Sequence, residues 1–115
     1  MVRPNEERFS SDLVALAALA KALSHPGRLE ILRILADGDC LCGDIVGRMP
    51  LSQSTVSQHL RELKNVGLIR GNISGPRTCY CLDAEAVSRA GAGFAALFAG
   101  ISRVRSEGGC HEECR

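Results

Sequence analysis

The chain has 115 residues, enough for one compact domain with its own core and too few for two ordinary ones. With 45% hydrophobic and 23% charged residues it has the composition of a soluble globular protein, and 3% aromatics without Trp imply a helix-favouring core of Leu, Ile, Val and Ala. A formal net charge of +1 announces no nucleic-acid partner by itself, so any such case rests on where the charges sit. The apolar run 13–20 is preceded by Arg3 and Arg8 against Glu6, Glu7 and Asp12, and Lys21 interrupts it, which is not a secretory leader. No stretch approaches the ~20 apolar residues of a bilayer span. The expectation is a cytoplasmic protein with no membrane partner, in which six cysteines serve metal or redox chemistry rather than a disulfide framework.

In chain order, Leu13, Leu16, Ala17, Ala20 and Leu23 follow helical spacing over 11–23, with Ser11 available as a cap. Pro26 suits a first helical turn. Leu29, Ile31, Leu32, Ile34 and Leu35 then make the second helix the central, most buried one, stopped at Asp37-Gly38. A loop Asp39-Cys40-Leu41 leads to a short helix from Cys42 to Met49 ended by Pro50, and Ser52 caps a fourth helix from Gln53 to about Val66, where Gly67 ends it. Leu68–Ile73 and Arg77–Leu82 read as two strands of a hairpin around Ser74-Gly75-Pro76. Asp83 caps a last helix to about Arg105 with the apolar stripe Val87, Ala90, Gly91, Phe94, Leu97, Phe98, Ile101 and Val104, and a tail 106–115 opened by Gly108-Gly109 is expected to be mobile. The expected fold is mostly α with a small β-hairpin, a single domain of five helices and a two-stranded wing.

The fourth helix carries the most informative pattern. Val56, Leu60, Leu63 and Val66 share one side, while Ser54, Ser57, Gln58, Arg61 and Asn65 share the other with Gln53 and Lys64 on its flank. Gln and Arg are the side chains that pair bidentately with adenine and guanine in a major groove, whereas Ser and Lys hold phosphates. Residues 52–77 hold Arg61, Lys64, Arg70 and Arg77 against Glu62 alone, four positive charges minus one negative, or +3. An isolated helix with such a face would be an ordinary solvated helix. A short helix, a Pro-containing turn, this helix and a hairpin with Arg77 at its tip instead make a helix-turn-helix with a wing, for which Gln53, Ser54, Ser57, Gln58, Arg61, Lys64 and Arg77 are the expected DNA contacts.

The runs His25-Pro26-Gly27-Arg28-Leu29-Glu30-Ile31-Leu32, Leu51-Ser52-Gln53-Ser54-Thr55-Val56-Ser57-Gln58-His59-Leu60 and Val66-Gly67-Leu68-Ile69 resemble the ArsR/SmtB family of metal-responsive winged-helix repressors, over roughly residues 13–83. The resemblance implies a homodimer on an imperfectly palindromic double-stranded operator, released by its inducer. A dimer is expected independently from the last helix. Beside its apolar stripe stand Gly91, Ala92, Gly93, Ala95, Ala96, Ala99 and Gly100, and interior Gly, costing up to ~1 kcal/mol relative to Ala, is offset by close helix approach. Helices 11–23 and 83–105 are therefore the expected interface.

Soft thiolates select soft ions. Cys40 and Cys42 resemble the family's Cys-x-Cys element at the start of its third helix, where arsenite sensors and some cadmium/lead sensors place thiolate ligands; trivalent arsenic or antimony is the expected inducer, with no organic cofactor. The arsenite pattern has a further Cys where this chain has Ile45, and Gly43 stands where an acidic residue is frequent. Cys110 and Cys114, one helical turn apart in the tail, are possible additional ligands. Cys79 and Cys81 share a strand face about 6.6 Å apart and read as packed side chains. Zinc is an alternative, but the family's zinc sensors carry His and acidic ligands on the last helix, where this chain has only Glu85. Cadmium or lead remains open if Cys110 and Cys114 substitute for the N-terminal cysteines of those sensors. His25 reads as a helix-entry residue and His59 lies near the buried side of the fourth helix; neither is assigned to metal. A repressor whose thiols sense oxidants is a further alternative. A thiol oxidoreductase is the least favoured, since Cys-x-x-Cys in a βαβ setting is missing, and the chain reads as no enzyme.

Overall fold

A computed structural model describes residues 8–74 and 77–103, with Cys40, Ile73 and Ser74 described by backbone alone. The element order is α1 (Ser11–Ala22), α2 (Pro26–Ala36), β1 (Cys40–Leu41), α3 (Cys42–Gly47), α4 (Gln53–Asn65), β2 (Ile69–Ser74), β3 (Arg77–Leu82) and α5 (Ala84–Ile101). This is a winged helix-turn-helix with five helices. The tail with Cys110 and Cys114, and Val104 of the α5 stripe, lie outside the described residues. None of the described helices is long and apolar enough to cross a membrane.

Local chemistry explains the helix ends. The Ser10 hydroxyl, one residue ahead of the expected cap, accepts from Leu13 N, Ser52 Oγ from Thr55 N at 3.3 Å, and Asp83 Oδ1 from Ala86 N at 3.0 Å. Each satisfies an amide that the first helical turn leaves without a partner. At the far end of α4, Gly67 takes φ 82°, which an L side chain rarely adopts. Gly67 N then donates to Lys64 O and Leu68 N to Leu63 O, closing the last carbonyls and turning the chain sharply into β2.

The core is one cluster. Ile31, Ile45, Val56, Leu60, Leu63 and Ile69 are fully buried, joined by Ile34, Leu35, Met49, Leu68 and Ala90. The central role expected of α2 is met by Ile31, Ile34 and Leu35, whereas Leu29 on its other side is exposed.

One expectation is corrected. The segment 39–41 is not a free loop: Cys40–Leu41 forms a strand that pairs antiparallel with β3, Cys40 opposite Tyr80 and Leu41 opposite Cys79. The wing hairpin, β2 with β3 from Ile69↔Leu82 to Ser74↔Arg77, is thus part of a three-stranded sheet in the order β1-β3-β2. Two residues carry no readable alternation; their pairing exists because β3 offers its second edge. Three helix limits also move inward, α1 ending at Ala22, α3 at Gly47 and α5 at Ile101 rather than near Arg105.

Candidate nucleic-acid interface and thiolate site

The buried side of α4 is Val56, His59, Leu60 and Leu63. Packing of that side against the core leaves Gln53, Ser54, Gln58, Arg61 and Lys64 exposed, with Ser57 half-buried at the margin. All six expected contacts on this helix thus lie off the core side. Ser54 has a local role as well, since its hydroxyl is 3.2 Å from the capping Ser52 hydroxyl. Arg77 is the first residue of β3, paired with Ser74 across the hairpin end, and is exposed. Arg70 lies 4.0 Å from Asp83 across a largely exposed gap, a weak tie.

A connection invisible to local sequence patterns reaches α4 from α2. The Arg28 Nε–H donates to His59 Nδ1 at 3.1 Å, and its Nη1 donates to the last carbonyls of α1, Lys21 O at 3.3 Å and Ala22 O at 3.4 Å. One guanidinium on α2 therefore ties α1 to the candidate reading helix. His25 caps α2, its Nδ1 accepting from Gly27 N at 2.8 Å, and its ring lies 4.3 Å from that of His59, centroid to centroid. Gly27 makes this approach possible: a Cβ there would stand 3.0 Å from His25 Nδ1 and 3.1 Å from both His59 Cδ2 and Leu51 Cδ1. His59 is 6% exposed, and its Nε2 has no hydrogen-bond partner among the described residues. Burial lowers the His59 pKa below the usual imidazole value, with smaller pushes in the same direction from His25 and Arg28, so the neutral ring belongs to the folded state.

The cysteines divide into two settings. Cys42 opens α3, is half-buried and packs against the core cluster. Cys40 sits two residues earlier on β1, opposite Tyr80. Tyr80 also packs against the core, and its ring passes over Gly71 of β2, where a Cβ would meet Tyr80 Cε1 at 3.1 Å. Burial raises the Tyr80 pKa, and the nearby Cys42 sulfur adds to that shift. Cys79 and Cys81 alternate with Tyr80 and Leu82, the two β3 residues packed on the core, and so occupy the other sheet face, half-buried. Beside Cys42 opens a cleft of about 460 Å³ lined by Leu41, Cys42, Gly43, Asp44, Arg77 and Thr78. Among the described residues no three His, Cys, Asp or Glu side chains already converge as an ion site.

Helices α1 and α5 pack together, with Leu16 seated on Gly93, whose Cβ would lie 2.9 Å from Leu16 Cδ2. Large apolar side chains stay open on and beside these two helices: Phe98 of α5 and Phe9 just ahead of α1 are each 60% exposed, Ile101 54% and Leu13 47%. A groove of about 790 Å³ lies between the helices and the end of α4, past Leu13, Leu16, Leu19, Val66, Leu68 and Leu97.

Residues 25–70, from the α2 cap through α4 to the start of β2, match the family described as bacterial regulatory protein, arsR family. HlyU of Vibrio cholerae, a transcriptional activator by name, is 31% identical over 83 residues, covering 72% of this chain and 77% of that protein. Its solved structure superposes with a TM-score of 0.63 at 30% identity, covering 71% and 90% of the two chains. The chain belongs to the ArsR family of bacterial regulatory proteins. Within that family it is similar to the HTH-type transcriptional regulator CmtR of Mycobacterium tuberculosis, 38% identical over 76 residues, 66% of this chain and 64% of that protein. The arsenical resistance operon repressor of Staphylococcus xylosus is 34% identical over 70 residues, covering 61% and 67%. The chain thus spans a little under two thirds of CmtR. The matched family and these relatives are regulatory proteins rather than enzymes, which sets the oxidoreductase alternative aside.

Proposed function

We propose that this ArsR-family protein is a metalloid-responsive transcriptional repressor that binds a palindromic operator as a homodimer and is released when trivalent arsenic or antimony is captured by Cys40 and Cys42. The observation that carries the reading is the position of that Cys-x-Cys element. It begins at the sheet edge and ends as the first turn of α3, the helix that packs directly on the reading helix α4.

The DNA half of the proposal rests on the exposed row of Gln53, Ser54, Gln58, Arg61 and Lys64 with Ser57 at its margin, and on Arg77 at the hairpin end. Amide and guanidinium groups there read base edges, while hydroxyls and ammonium groups hold phosphates. The dimer half rests on the open apolar face of α1 and α5. A second copy covering Phe98, Ile101 and Leu13 would remove it from water and give the two-fold symmetry that a palindrome requires.

The donor set fits a thiophilic ion. Cys42 is accessible and half-buried, a second sulfur-bearing residue stands two positions earlier, and the sulfurs favour soft over hard cations. Cys110 and Cys114 are candidates for an additional thiolate. Capture of one ion by residues 40 and 42 supplies differential binding energy between DNA-bound and free conformations, typically about 1 to 3 kcal/mol, or ~5-fold to ~150-fold in operator affinity.

The test is an anisotropy titration of operator-bound protein with arsenite, antimonite, cadmium, lead and zinc in reducing buffer. Arsenite or antimonite releasing at the lowest concentration supports the reading; cadmium, lead or zinc releasing first makes the protein a metal-responsive repressor of the same fold; release only by oxidant makes it a thiol-redox sensor. Cys40→Ser and Cys42→Ser each keep operator affinity and lose release, because a hydroxyl is a poor soft-ion ligand. Cys79→Ser and Cys81→Ser still respond.

A further inference from the structure

The cleft beside Cys42 brings together two parts that the proposed function treats separately. Its walls are Leu41, Cys42, Gly43 and Asp44 on one side and Arg77 and Thr78 on the other, so the candidate ion ligand and the wing-end arginine share one cavity. The β1–β3 pairing reinforces this. Leu41 is opposite Cys79, two residues from Arg77, and Cys40 is opposite Tyr80, so the cysteine element is itself the edge strand of the wing sheet. A ladder of only two residue pairs is the least costly pairing in the sheet to disturb.

We infer that Arg77 is the coupling residue of this regulator: an ion held at Cys40 and Cys42 acts on DNA chiefly by displacing the wing wall that carries Arg77, and only secondarily through the reading helix. This inference rests on the metalloid reading of the Cys40–Cys42 element. Closing residues 40 and 42 on one ion pulls the edge strand out of line with β3, and an adduct on Cys42 occupies the cleft that Arg77 borders. Either movement withdraws a guanidinium from the phosphate it holds, while the base-reading face of α4, anchored through Leu60, Leu63 and the Arg28–His59 bond, stays in place. By linkage, a contact that transmits the coupling takes the coupling with it when removed; one that merely adds affinity does not.

The experiment compares parent, Arg77→Gln and Lys64→Gln by operator anisotropy with and without arsenite, at a salt concentration where all three bind. Ion binding to the DNA-free proteins is followed separately by tyrosine fluorescence. The chain has one Tyr and no Trp, so that signal comes only from Tyr80, the residue opposite Cys40. The parent and Lys64→Gln should each lose at least about 5-fold in affinity with arsenite, whereas Arg77→Gln, weaker to begin with, should lose less than about 2-fold, with the fluorescence midpoint for arsenite unchanged. A release ratio for Arg77→Gln equal to the parent's overturns the inference. So does loss of release in Lys64→Gln, which would spread the coupling over all phosphate contacts, or a shifted midpoint in Arg77→Gln, which would make Arg77 part of the ion site. A parent that arsenite neither binds nor releases fails the metalloid reading itself, a result separate from these.

Discussion

Helices α4 and α5 are both amphipathic, yet they are finished to different degrees. In α4 the apolar side is consumed within the chain: Val56, Leu60 and Leu63 are at most 1% exposed, and what remains outside is polar. In α5 only Ala90 is buried, while Phe98 and Ile101 stay more than half exposed. The glycines of α5 tell the same story. Gly93 receives Leu16 of α1, but nothing lies within 4 Å of a Cβ at Gly91 or Gly100. A helix that exposes aromatic and aliphatic side chains beside open glycines leaves an apolar face uncovered, whereas α4 has one face committed to the core and exposes only polar side chains on the other.

This contrast predicts that equally drastic changes have different consequences in the two helices. The largest effect on folding belongs to Leu60→Ala, which opens a cavity under α4 and should cost roughly 2 to 5 kcal/mol of stability. Urea unfolding checks this, and a loss well under 1 kcal/mol would mean that α4 is not anchored as described. In α5, Phe98→Glu should leave the fold intact and yield monomers in sedimentation, with operator binding reduced to that of a single half-site. A stable dimer carrying that glutamate would remove the α1–α5 face from the assembly.

Smaller effects sharpen the polar side of the comparison. Gln58→Ala and Arg61→Ala should each weaken specific operator binding by about 1 to 3 kcal/mol without altering stability, and do so more for the operator than for random DNA. Equal losses on both DNAs would demote these residues to phosphate contacts.

The smallest predicted effect concerns pH. Because burial, then His25 and Arg28, hold the His59 pKa below its unfolded value of 6.5, the group contributes nothing above that value. As pH falls through it, the unfolded chain takes up a proton that the folded chain resists, and stability declines until the folded pKa is reached. Denaturation midpoints at pH 7.5 and 5.5 should therefore diverge more in the parent than in His59→Gln. Parallel shifts would show that the ring titrates freely in the fold.

What could be read from residue order was whatever depends on near neighbours. The spacing of Val56, Leu60 and Leu63, the caps at Ser52 and Asp83, the stop at Gly67 and the turn residues between the two hairpin strands act over a few residues, and the helices and wing follow from them. His25 as a helix-entry residue belongs to the same class, since its acceptor role reaches only to Gly27. Other features needed the tertiary structure. A two-residue strand has no period of its own, so Cys40–Leu41 could be recognised only once β3 stood beside it, and with it came the placement of the cysteine element on the wing sheet. The Arg28–His59 bond joins residues 31 apart in sequence, and the cleft shared by Cys42 and Arg77 joins residues farther apart still. Such contacts have no local signature because they are set by how helices and sheet pack together, and they bring a candidate ion ligand and a candidate DNA contact into one cleft.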